Sequence, residues 1–335
     1  MADVLLKDVT KSFGAASARK HAIDHMHLEI PDASFAVLLG PTGAGKTTTL
    51  RLIAGLETPE SGSISIGGQD VTHDTPAQRN VAMVFQQYSL YPHLTVRQNL
   101  EFPLKSPMLK TSANDIAKRV GEVAEVLRIS EKLDNKSTAL SGGEMQRVSI
   151  GRALVRDPAV FLMDEPLSSL DAKLRSELRL ELKRLQAELG ATILYVTHDQ
   201  IEAMTMATHI GVLNEGRLVQ HGSPRNIYED PNSIYVASRL GLPRINTLPA
   251  DLFGAAPKGA STIGLRPENI TLGEGSTGTV QRVEHLGDQT RLHIRLSNHD
   301  IVTLVDPAMN IAKGQSVLLQ PRNPLYFDDR GQRIH

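Results

Sequence analysis

One stretch of the sequence has the residue types and the spacing to hold a phosphate group. Residues 40–47 read GPTGAGKT and fit the pattern G-x-x-x-x-G-K-[ST] at every fixed position. Glycines let the backbone turn several N–H groups toward one anion, and the N-terminus of a following helix adds positive potential. We expect Lys46 to reach the β- and γ-phosphates of a nucleotide and the Thr47 hydroxyl to bind magnesium. The residues predicted to contact the nucleotide here are Gly40, Pro41, Thr42, Gly43, Ala44, Gly45, Lys46, Thr47 and Thr48.

A pair of acidic residues farther along the chain has the chemistry to complete a hydrolytic site. Asp164 and Glu165 follow the apolar run VFLM at residues 160–163. Taken alone, two acids after a strand are often only a solvated strand end. With a phosphate-binding loop upstream, we expect Asp164 to hold magnesium. Glu165, one residue on and pointing to the other side, is then placed to polarise an attacking water.

A second glycine pair precedes a predicted helix in the segment LSGGE at residues 140–144. Ser141 and Glu144 have the spacing of a capping box, in which each satisfies a backbone N–H of the other. This interpretation is compatible with a functional one, because Gly142 and Gly143 beside a helix N-terminus make a second anion-binding surface. A chain needs only one such surface to bind one nucleotide. A second surface is expected only if each nucleotide also contacts another copy of the chain.

These motifs must be positioned by the elements around them, and the sequence predicts strands that alternate with helices. Such alternation is typical of a mostly parallel sheet covered by helices. Helices are predicted at residues 46–54 and 172–189, the second with leucines on one stripe and charges opposite. The predicted buried strands are residues 36–39, 81–85, 160–163, 192–196 and 210–213.

Two regions depart from this α/β pattern. Residues from about 95 to 150 read as a helical subdomain inserted into the α/β region. After about residue 235, short alternating segments punctuated by glycine, proline and asparagine predict a small all-β domain of the barrel type. The predicted domains are therefore 1–235 and 236–335. The string GEGSTGTV at 273–280 fits a protein-kinase pattern, but no partner motif follows, so we interpret it as a turn between strands.

Composition excludes several other classes of protein. The 335 residues contain 36 basic and 37 acidic side chains, so the chain lacks the basic excess of a duplex-binding domain. There is no cysteine, which rules out disulfides, zinc thiolate sites and thiol nucleophiles. Neither a signal peptide nor an apolar run long enough to cross a membrane is present, so we expect a soluble, cytoplasmic chain.

Taken in order, the motifs resemble those of the ATPase subunit of ABC transporters over about residues 4–235. LSGGE resembles the signature loop of that family. Gln86, in MVFQQ, matches the family's Q-loop glutamine, and Asp171 ends a match to its D-loop, SSLD. His198, in YVTHD, matches the switch histidine. Phe13 occupies the position where the family places an aromatic residue against adenine.

The resemblance implies a fold, a P-loop NTPase cassette, and an activity, ATP hydrolysis. Two cassettes pack head to tail, so that each ATP lies between one subunit's phosphate loop and the partner's signature loop. In that arrangement Glu165 is the general base, and His198 contacts the γ-phosphate. The magnesium ligands that it implies are Thr47, Gln86 and Asp164. Further nucleotide contacts are implied for Phe13, Gln86, Ser141, Gly142, Gly143, Glu144 and Asp171.

The second region narrows the resemblance to one branch of the family. IGLRPE at 263–268 and VQRVEHLG at 280–287 resemble the accessory OB-like (TOBE) β-barrel domain of carbohydrate-importer ATPases, as in maltose and glycerol-3-phosphate transporters. This implies import of a sugar, a polyol or a sugar- or glycerol-phosphate-like solute. The implied partners are a second copy of the chain, two transmembrane permease subunits and, indirectly, an extracytoplasmic solute-binding protein. The chain would then lie peripherally on the cytoplasmic face of the membrane, with no nucleic-acid partner.

Two functions of other classes compete with this interpretation. The first is a soluble cassette ATPase that acts on ribosomes or DNA, and the single cassette, the lack of a heptad array and the balanced charge argue against it. The second is a module that binds nucleotide without hydrolysing it, against which the presence of Glu165 and His198 argues. The identity of the solute stays open. So does the choice between identical and different cassettes, although a homodimer is the simpler expectation.

Overall fold

Strands and helices alternate along the first part of the chain, and antiparallel strands dominate the rest. The computed structural model describes residues 2–14, 20–106 and 109–335. The chain divides into two compact units, Met1–Pro224 and Arg225–His335. The elements of the first unit are β1 (Val4–Phe13), β2 (Lys20–Ile30), β3 (Phe35–Leu39), α1 (Lys46–Ala54), β4 (Ser61–Ile66), β5 (Gln69–Asp70), β6 (Val81–Val84), α2 (Val96–Glu101), α3 (Ala113–Val126), α4 (Gly142–Leu154), β7 (Val160–Asp164), α5 (Ala172–Leu189), β8 (Ile193–Thr197), α6 (Gln200–Met206), β9 (His209–Asn214) and β10 (Arg217–Gly222).

A six-stranded sheet with the strand order β10-β9-β3-β8-β7-β6 forms the centre of the first unit. β3 pairs in parallel with β8 and β9, and β7 pairs in parallel with β6 and β8, whereas β10 joins the edge antiparallel to β9. The predicted α/β fold with a mostly parallel sheet is therefore confirmed. Because parallel strands all end at the same edge, the loops after β3, β7 and β8 emerge side by side there.

A second, antiparallel sheet with the order β2-β1-β4-β5 was not predicted from the sequence. The pairing of β1 with β2 shifts register three times, between Leu6 and Val9, Val9 and Lys11, and Lys11 and Ser12. Such irregularities break the simple alternation that reveals a strand in a sequence. The apolar face of this sheet shares one core with helix α1 and with strands of the parallel sheet.

Helices dominate the segment between β6 and β7. α3 buries Ile116, Val120 and Val123 along one stripe, which agrees with the helical period of its sequence. Short 3-10 turns at Phe102–Lys105, Ser130–Lys132 and Ser137–Ala139 connect the α-helices of this segment. Within the described residues, no helix combines the length and the apolar character needed to span a membrane.

Antiparallel strands make up most of the remaining chain. Its elements are α7 (Pro224–Glu229), α8 (Ile234–Arg239), β11 (Asn246–Pro249), β12 (Thr262–Leu265), β13 (Ile270–His285), β14 (Thr290–Leu296), β15 (His299–Val305), β16 (Ser316–Pro321), β17 (Leu325–Phe327) and β18 (Arg333–Ile334). The strands form two four-stranded antiparallel sheets, with the orders β11-β12-β17-β18 and β15-β14-β13-β16. Apolar side chains from both sheets pack into one core, so the second unit is a small all-β fold, as predicted.

The glycine-rich string at 273–278 is not a turn between strands, so that prediction is wrong. It lies inside β13, where the pairing with β16 shifts register between Leu272 and Ser276. Gly275 has φ = 98° there, and a Cβ at this position would run into the carbonyl of Leu319. The glycines therefore allow an irregular bulge within one long strand.

A candidate ATP-hydrolysing site at the edge of the parallel sheet

The phosphate loop connects the end of β3 to the start of α1. Gly45, immediately before the helix, has φ = 102°, and a Cβ there would come within 2.5 Å of the Ala22 carbonyl oxygen. Only glycine tolerates both the backbone angle and the close approach of β2. Since α1 begins at Lys46, the loop delivers its backbone N–H groups and the positive end of the helix to the same place.

The side chain of Lys46 lies buried at the centre of this loop. Its ammonium donates to the carbonyls of Gly40 and Pro41, at 2.9 and 3.0 Å. The Glu165 carboxylate lies 3.8 Å away. Burial lowers the pKa of Lys46, while the charges of Glu165 and Asp164 act in the opposite direction. The loop thus holds a cation in place for the phosphates of a nucleotide.

Asp164, the last residue of β7, faces the first turn of α1. The Thr47 hydroxyl donates to its carboxylate at 3.0 Å. Burial raises the pKa of Asp164, and the hydrogen bond from Thr47 partly offsets that shift. A hydroxyl and a carboxylate in contact are hard oxygen donors of the kind magnesium prefers, and phosphate oxygens and waters normally supply the remaining ligands. The residues present therefore fit a magnesium ion shared with a nucleotide.

Glu165 lies between a cation on one side and a histidine on the other. His198, in the loop after β8, places its Nδ1 3.1 Å from the second carboxylate oxygen of Glu165. The side chain of Glu165 is mostly buried, whereas that of His198 is 61% exposed. Glu165 adopts φ = 43°, a left-handed backbone angle that is uncommon for residues other than glycine. An acid held in this way can accept a proton from a water beside the phosphate loop.

The loop after β6 and the loop after β7 meet through side-chain contacts. The exposed Gln86 donates from Nε2 to the Ser168 hydroxyl at 3.4 Å. Tyr88 and Ser169 share a further hydrogen bond of 3.2 Å. Asp171 caps α5 by accepting from the backbone N–H of Leu174 at 3.0 Å. The predicted Q-loop and D-loop residues are thus neighbours in the structure.

An open cavity of about 420 Å³ brings together predicted residues of the phosphate loop, the two acids and Gln86. The loop residues Gly40, Pro41 and Ala44 shape it through the backbone and do not line it. Ala22, from β2, is a lining residue that the sequence analysis missed, because its place depends on a tertiary contact between β2 and the phosphate loop. The lining residues are Ala22, Thr42, Gly43, Gly45, Lys46, Thr47, Thr48, Gln86, Asp164 and Glu165.

Among the described residues, the lining of this cavity does not include four predicted groups: His198, Asp171, the segment Ser141–Glu144 and Phe13. The segment Ser141–Glu144 forms the N-terminus of α4, where the capping box inferred from the sequence is present. The backbone N–H of Ser141 donates to Glu144 at 2.8 Å, and the backbone N–H of Glu144 donates to the Ser141 hydroxyl at 3.4 Å. Phe13, at the end of β1, is 45% exposed, with the Lys11 ammonium 5.2 Å from its ring centre. Phe13 and Ser141 are therefore available to contacts from outside, whereas Gly143 is buried.

Comparison with protein families agrees with both parts of the chain. Residues 23–168 match the family described as ABC transporter, and residues 263–323 match the TOBE domain. The first match contains the phosphate loop, the signature segment and both acids. The second contains the segments in which the sequence resembled an accessory β-barrel.

Curated relatives match over most of the chain. The sn-glycerol-3-phosphate import ATP-binding protein UgpC 2 of Rhizobium johnstonii is 46% identical over 310 residues, covering 90% of this chain and 88% of its own length. UgpC of Rhizobium meliloti is 48% identical over 317 residues, covering 89% of each chain. UgpC of a Ruegeria species is 43% identical over 355 residues, covering 100% of this chain and 99% of its own.

Solved structures share the fold of the first part of the chain. One is the dimeric post-hydrolysis state of the ATP-binding cassette MJ0796 bound to ADP and Pi, with a TM-score of 0.59 and 32% identity. The match covers 66% of this chain and 99% of that one. Another is cbiO1 of Clostridium perfringens, part of the cbiONQ ABC transporter complex, with a TM-score of 0.62 and 26% identity. It covers 68% of this chain and 90% of that one. The chain therefore belongs to the ATP-binding, ATP-hydrolysing subunits of ABC transporters, the family that its motifs resembled.

Proposed function

We propose that this ATPase powers the import of a sugar, a polyol or a glycerol-phosphate-like solute. One observation carries the proposal. The chain is similar to proteins named as sn-glycerol-3-phosphate import ATP-binding proteins in both the cassette and the β region. In two of the relatives described, the similarity covers at least 90% of this chain. A soluble cassette ATPase with another partner is not favoured, since these relatives are import proteins.

The proposed domains follow the resemblance. Residues 1–235 form the cassette, with a helical subdomain at about 95–150, and residues 236–335 form the accessory domain. Residues 225–235 pack with the second compact unit of the structure, whereas the resemblance to the cassette runs through about residue 235. The boundary that we propose therefore rests on sequence similarity.

In the proposed mechanism the phosphate loop binds ATP, and Lys46 contacts its β- and γ-phosphates. Thr47, Asp164 and Gln86 hold magnesium, which neutralises charge on the phosphates when it is bound. The 3.0 Å contact between Thr47 and Asp164 supports a shared role for these two residues. Phe13 stacks against the adenine ring, and its exposed face suits that contact.

Glu165 is the proposed general base, and His198 is its partner. Since Lys46 and His198 approach opposite oxygens of the Glu165 carboxylate, the base is held from two sides. This arrangement orients the acid toward a water that attacks the γ-phosphate. His198 is exposed enough to contact the γ-phosphate from its position beside Glu165.

A second copy of the chain completes each site in this proposal. Ser141, Gly142 and Gly143 begin α4, and their N–H groups contact the ATP that the other copy holds. Glu144 fixes Ser141 through the capping box, and Asp171 lies in the D-loop that faces the partner. The support is the exposed position of Ser141 and the dimeric form of the related cassette MJ0796.

The proposed assembly contains two ATPase subunits, two transmembrane permeases and, indirectly, an extracytoplasmic solute-binding protein. ATP-binding subunits of import transporters work as dimers with membrane permeases. The finer stoichiometry, the homodimer, the peripheral position on the cytoplasmic face and the lack of a nucleic-acid partner are parts of the proposal.

Co-purification tests the proposed role directly. The tagged chain is expressed in its native host, the membranes are solubilised in mild detergent, and the captured proteins are identified by mass spectrometry. We expect two polytopic permeases, and reconstitution of the captured complex should give ATP hydrolysis that a sugar, polyol or glycerol phosphate stimulates together with its binding protein. Recovery of ribosomes or nucleic acid instead of permeases would overturn the import role while leaving the ATPase chemistry intact.

A further inference from the structure

One arginine on helix α5 contacts both of the loops that carry the proposed catalytic pair. Arg175 lies one turn into α5, and its side chain is 30% exposed. Its guanidinium contacts the Asp199 carboxylate, with Nη1 3.8 Å from Oδ2. It also donates to three backbone carbonyls of the loop after β7, those of Leu167 at 3.3 Å, Ser168 at 3.4 Å and Leu170 at 2.9 Å.

The first of these loops is tied to the proposed base. The Ser168 hydroxyl and its backbone N–H both donate to the carbonyl of Glu165, at 2.8 and 3.2 Å. The bonds from Arg175 therefore act on a turn whose first residue is Glu165. A shift of this turn would move the Glu165 carboxylate with it.

The second loop is tied to the proposed partner of the base. Asp199 follows His198 directly and caps α6 by accepting from the N–H of Ile201 at 2.7 Å. The backbone N–H of Asp199 donates to the Thr197 hydroxyl at 3.0 Å. Thr197 in turn donates to the buried Glu202 at 2.6 Å, which anchors the loop to β8 and α6.

We infer that Arg175 is a positioning residue, which holds the Glu165 turn and the His198 loop at the separation that hydrolysis requires. The inference rests on the proposed roles of Glu165 and His198. Each loop is anchored to its own strand, and the guanidinium of Arg175 joins the two. The planar fork of arginine suits this task, because it donates in several fixed directions at once, whereas the single ammonium of lysine does not. The 3.1 Å contact between Glu165 and His198 depends on this link.

The test compares three variants of the full-length chain in an ATP hydrolysis assay. Arg175→Met should lower kcat by about tenfold to a hundredfold, since a displacement of about 1 Å in a catalytic group can cost 10²-fold. The KM for ATP should change by less than about threefold, because the phosphate loop is untouched. Arg175→Lys should give an intermediate kcat. The matched control is Arg179→Met, one turn further along α5, where the arginine donates no hydrogen bond to another described residue, and it should keep wild-type kcat.

A double-mutant cycle with Asp199 separates positioning from a general structural effect. Asn is as good a helix cap as Asp, so Asp199→Asn keeps α6 capped while removing the charge that faces Arg175. If the two residues act through one link, the double variant should be no slower than Arg175→Met alone. Additive losses in kcat, a loss no greater than that of Arg179→Met, or a loss matched by the fraction of unfolded protein would each overturn the inference.

The variant Glu165→Gln, measured in the same assay, shows whether a negative result concerns the role of Arg175 or the proposed site itself. If Glu165→Gln abolishes hydrolysis while Arg175→Met does not lower kcat, only the positioning role is wrong. If Glu165→Gln keeps wild-type turnover, the assignment of the base is wrong, and the positioning role, which acts through that base, is wrong with it.

Discussion

At the scale of single residues, the chemistry depends on a few ionisable side chains whose surroundings differ sharply. Glu165 is held by Lys46 and His198, whereas Asp164 is held by the Thr47 hydroxyl. Burial raises the pKa of Asp164 and lowers that of Lys46. These different surroundings are consistent with the tasks that we propose for the neighbouring acids, metal binding for one and proton transfer for the other.

Replacing the base should separate ATP binding from hydrolysis. We expect Glu165→Gln to lower kcat by at least about 10²-fold, because the general base is lost while the binding groups remain. ATP should then hold two chains together as a dimer, which size-exclusion chromatography detects. The control is Glu177→Gln, an exposed glutamate on α5, which should hydrolyse ATP at the wild-type rate. Normal turnover in Glu165→Gln would refute the assignment of the base.

Glu202 should make the stability of the chain depend on pH. Burial raises its pKa, although hydrogen bonds from Thr197 and Tyr195 act in the opposite direction and the charge of Asp199 adds to the rise. The pKa of the folded state thus lies above the unfolded value, so the free energy of unfolding gains a contribution at low pH. That contribution is lost as the pH rises through the folded pKa.

The variant Glu202→Gln removes this titration but keeps an oxygen that can accept from Tyr195 and Thr197. We expect wild type to gain stability relative to Glu202→Gln as the pH is lowered from 8 toward 5. Chemical denaturation at both pH values measures the difference, with Glu177→Gln as the control. A difference that does not change with pH would contradict the role assigned to this carboxylate.

Several residues that line the cavity were predicted from the sequence, because each lies inside a short motif. Lys46, Asp164, Glu165 and Gln86 were all predicted, and the structure places them around one cavity. Ala22 was not predicted, because only the tertiary contact between β2 and the phosphate loop places it beside Gly45. The contacts of Arg175 could not be predicted either. Three of its partners are backbone carbonyls, which every residue has whatever its side chain.

At the scale of elements, the strands of the parallel sheet and two long helices were predicted to within a residue or so at each end, whereas the antiparallel sheet of the first unit was not predicted. Helices α1 and α5 begin and end where the sequence indicated, at Lys46–Ala54 and Ala172–Leu189. The stripe of α5 buries Leu178, Leu182 and Leu185 as its period predicts, while Leu189, at the end of the helix, is exposed. Local signals suffice for such helices, because their hydrogen bonds and caps lie within a few residues.

The antiparallel sheet of the first unit could not be predicted from such local signals. Its strands β1 and β2 pair with shifted register, and Asp8 and His25 within them have positive φ angles. The bulges interrupt the alternation of buried and exposed residues. The same cause misled the interpretation of 273–278, where a bulge inside β13 has the glycines typical of a turn. A bulge is therefore hard to recognise from the sequence, because the extra residue interrupts the alternation by which a strand is identified.

Arg79 is expected to stabilise the helix that carries the phosphate loop. Its buried guanidinium donates to the carbonyls of Leu52 and Ile53 at the end of α1, at 2.6 and 3.1 Å, and to those of Thr72 and Asp74, both at 3.0 Å. Arg79→Met should lower the free energy of unfolding by about 2–4 kcal/mol, because buried carbonyls lose charged donors. Urea denaturation measures the change.

Arg79→Lys serves as the control for charge. A lysine keeps the positive charge but cannot reach four carbonyls, so we expect it to recover only part of the lost stability. Full recovery by lysine would show that the charge alone matters. Wild-type stability in Arg79→Met would show that the hydrogen bonds contribute nothing.

At the scale of the whole molecule, the proposed site is complete only when two copies meet. The phosphate loop and the segment Ser141–Glu144 both lie at helix N-termini, yet only the first lines the cavity that contains Lys46 and Glu165 among the described residues. In the proposed dimer, whose copies face in opposite directions, the second helix N-terminus would be supplied to each ATP by the other copy. The proposal thus gives a role to both of the glycine-containing helix N-termini in one chain.

Blocking the signature segment should therefore stop hydrolysis without weakening the binding of ATP to a single chain. We expect Ser141→Arg to lower kcat at least about 10²-fold, because the bulky cation prevents the second copy from closing over the phosphates. The affinity of the monomer for a fluorescent ATP analogue should stay within about threefold of wild type. Equilibrium titration and steady-state kinetics give the two values.

Ser141→Ala is the matched control, since it removes the cap of α4 without adding bulk. The lost cap costs about 1 kcal/mol of stability, but hydrolysis should fall far less than in Ser141→Arg. If nucleotide affinity of the monomer collapsed in Ser141→Arg, the shared site would be wrong, because Ser141 would then contact the nucleotide of its own chain.

The left-handed backbone at Glu165 lowers the stability of the chain at the residue that is proposed to carry out hydrolysis. A non-glycine residue at φ = 43° is strained by on the order of 1 kcal/mol, which glycine at that position would relieve. Selection for a folded chain alone would therefore favour glycine at position 165. A gene copy freed from the need to hydrolyse ATP is expected to lose its base early, and the protein that it encodes should melt at a higher temperature than its active ancestor.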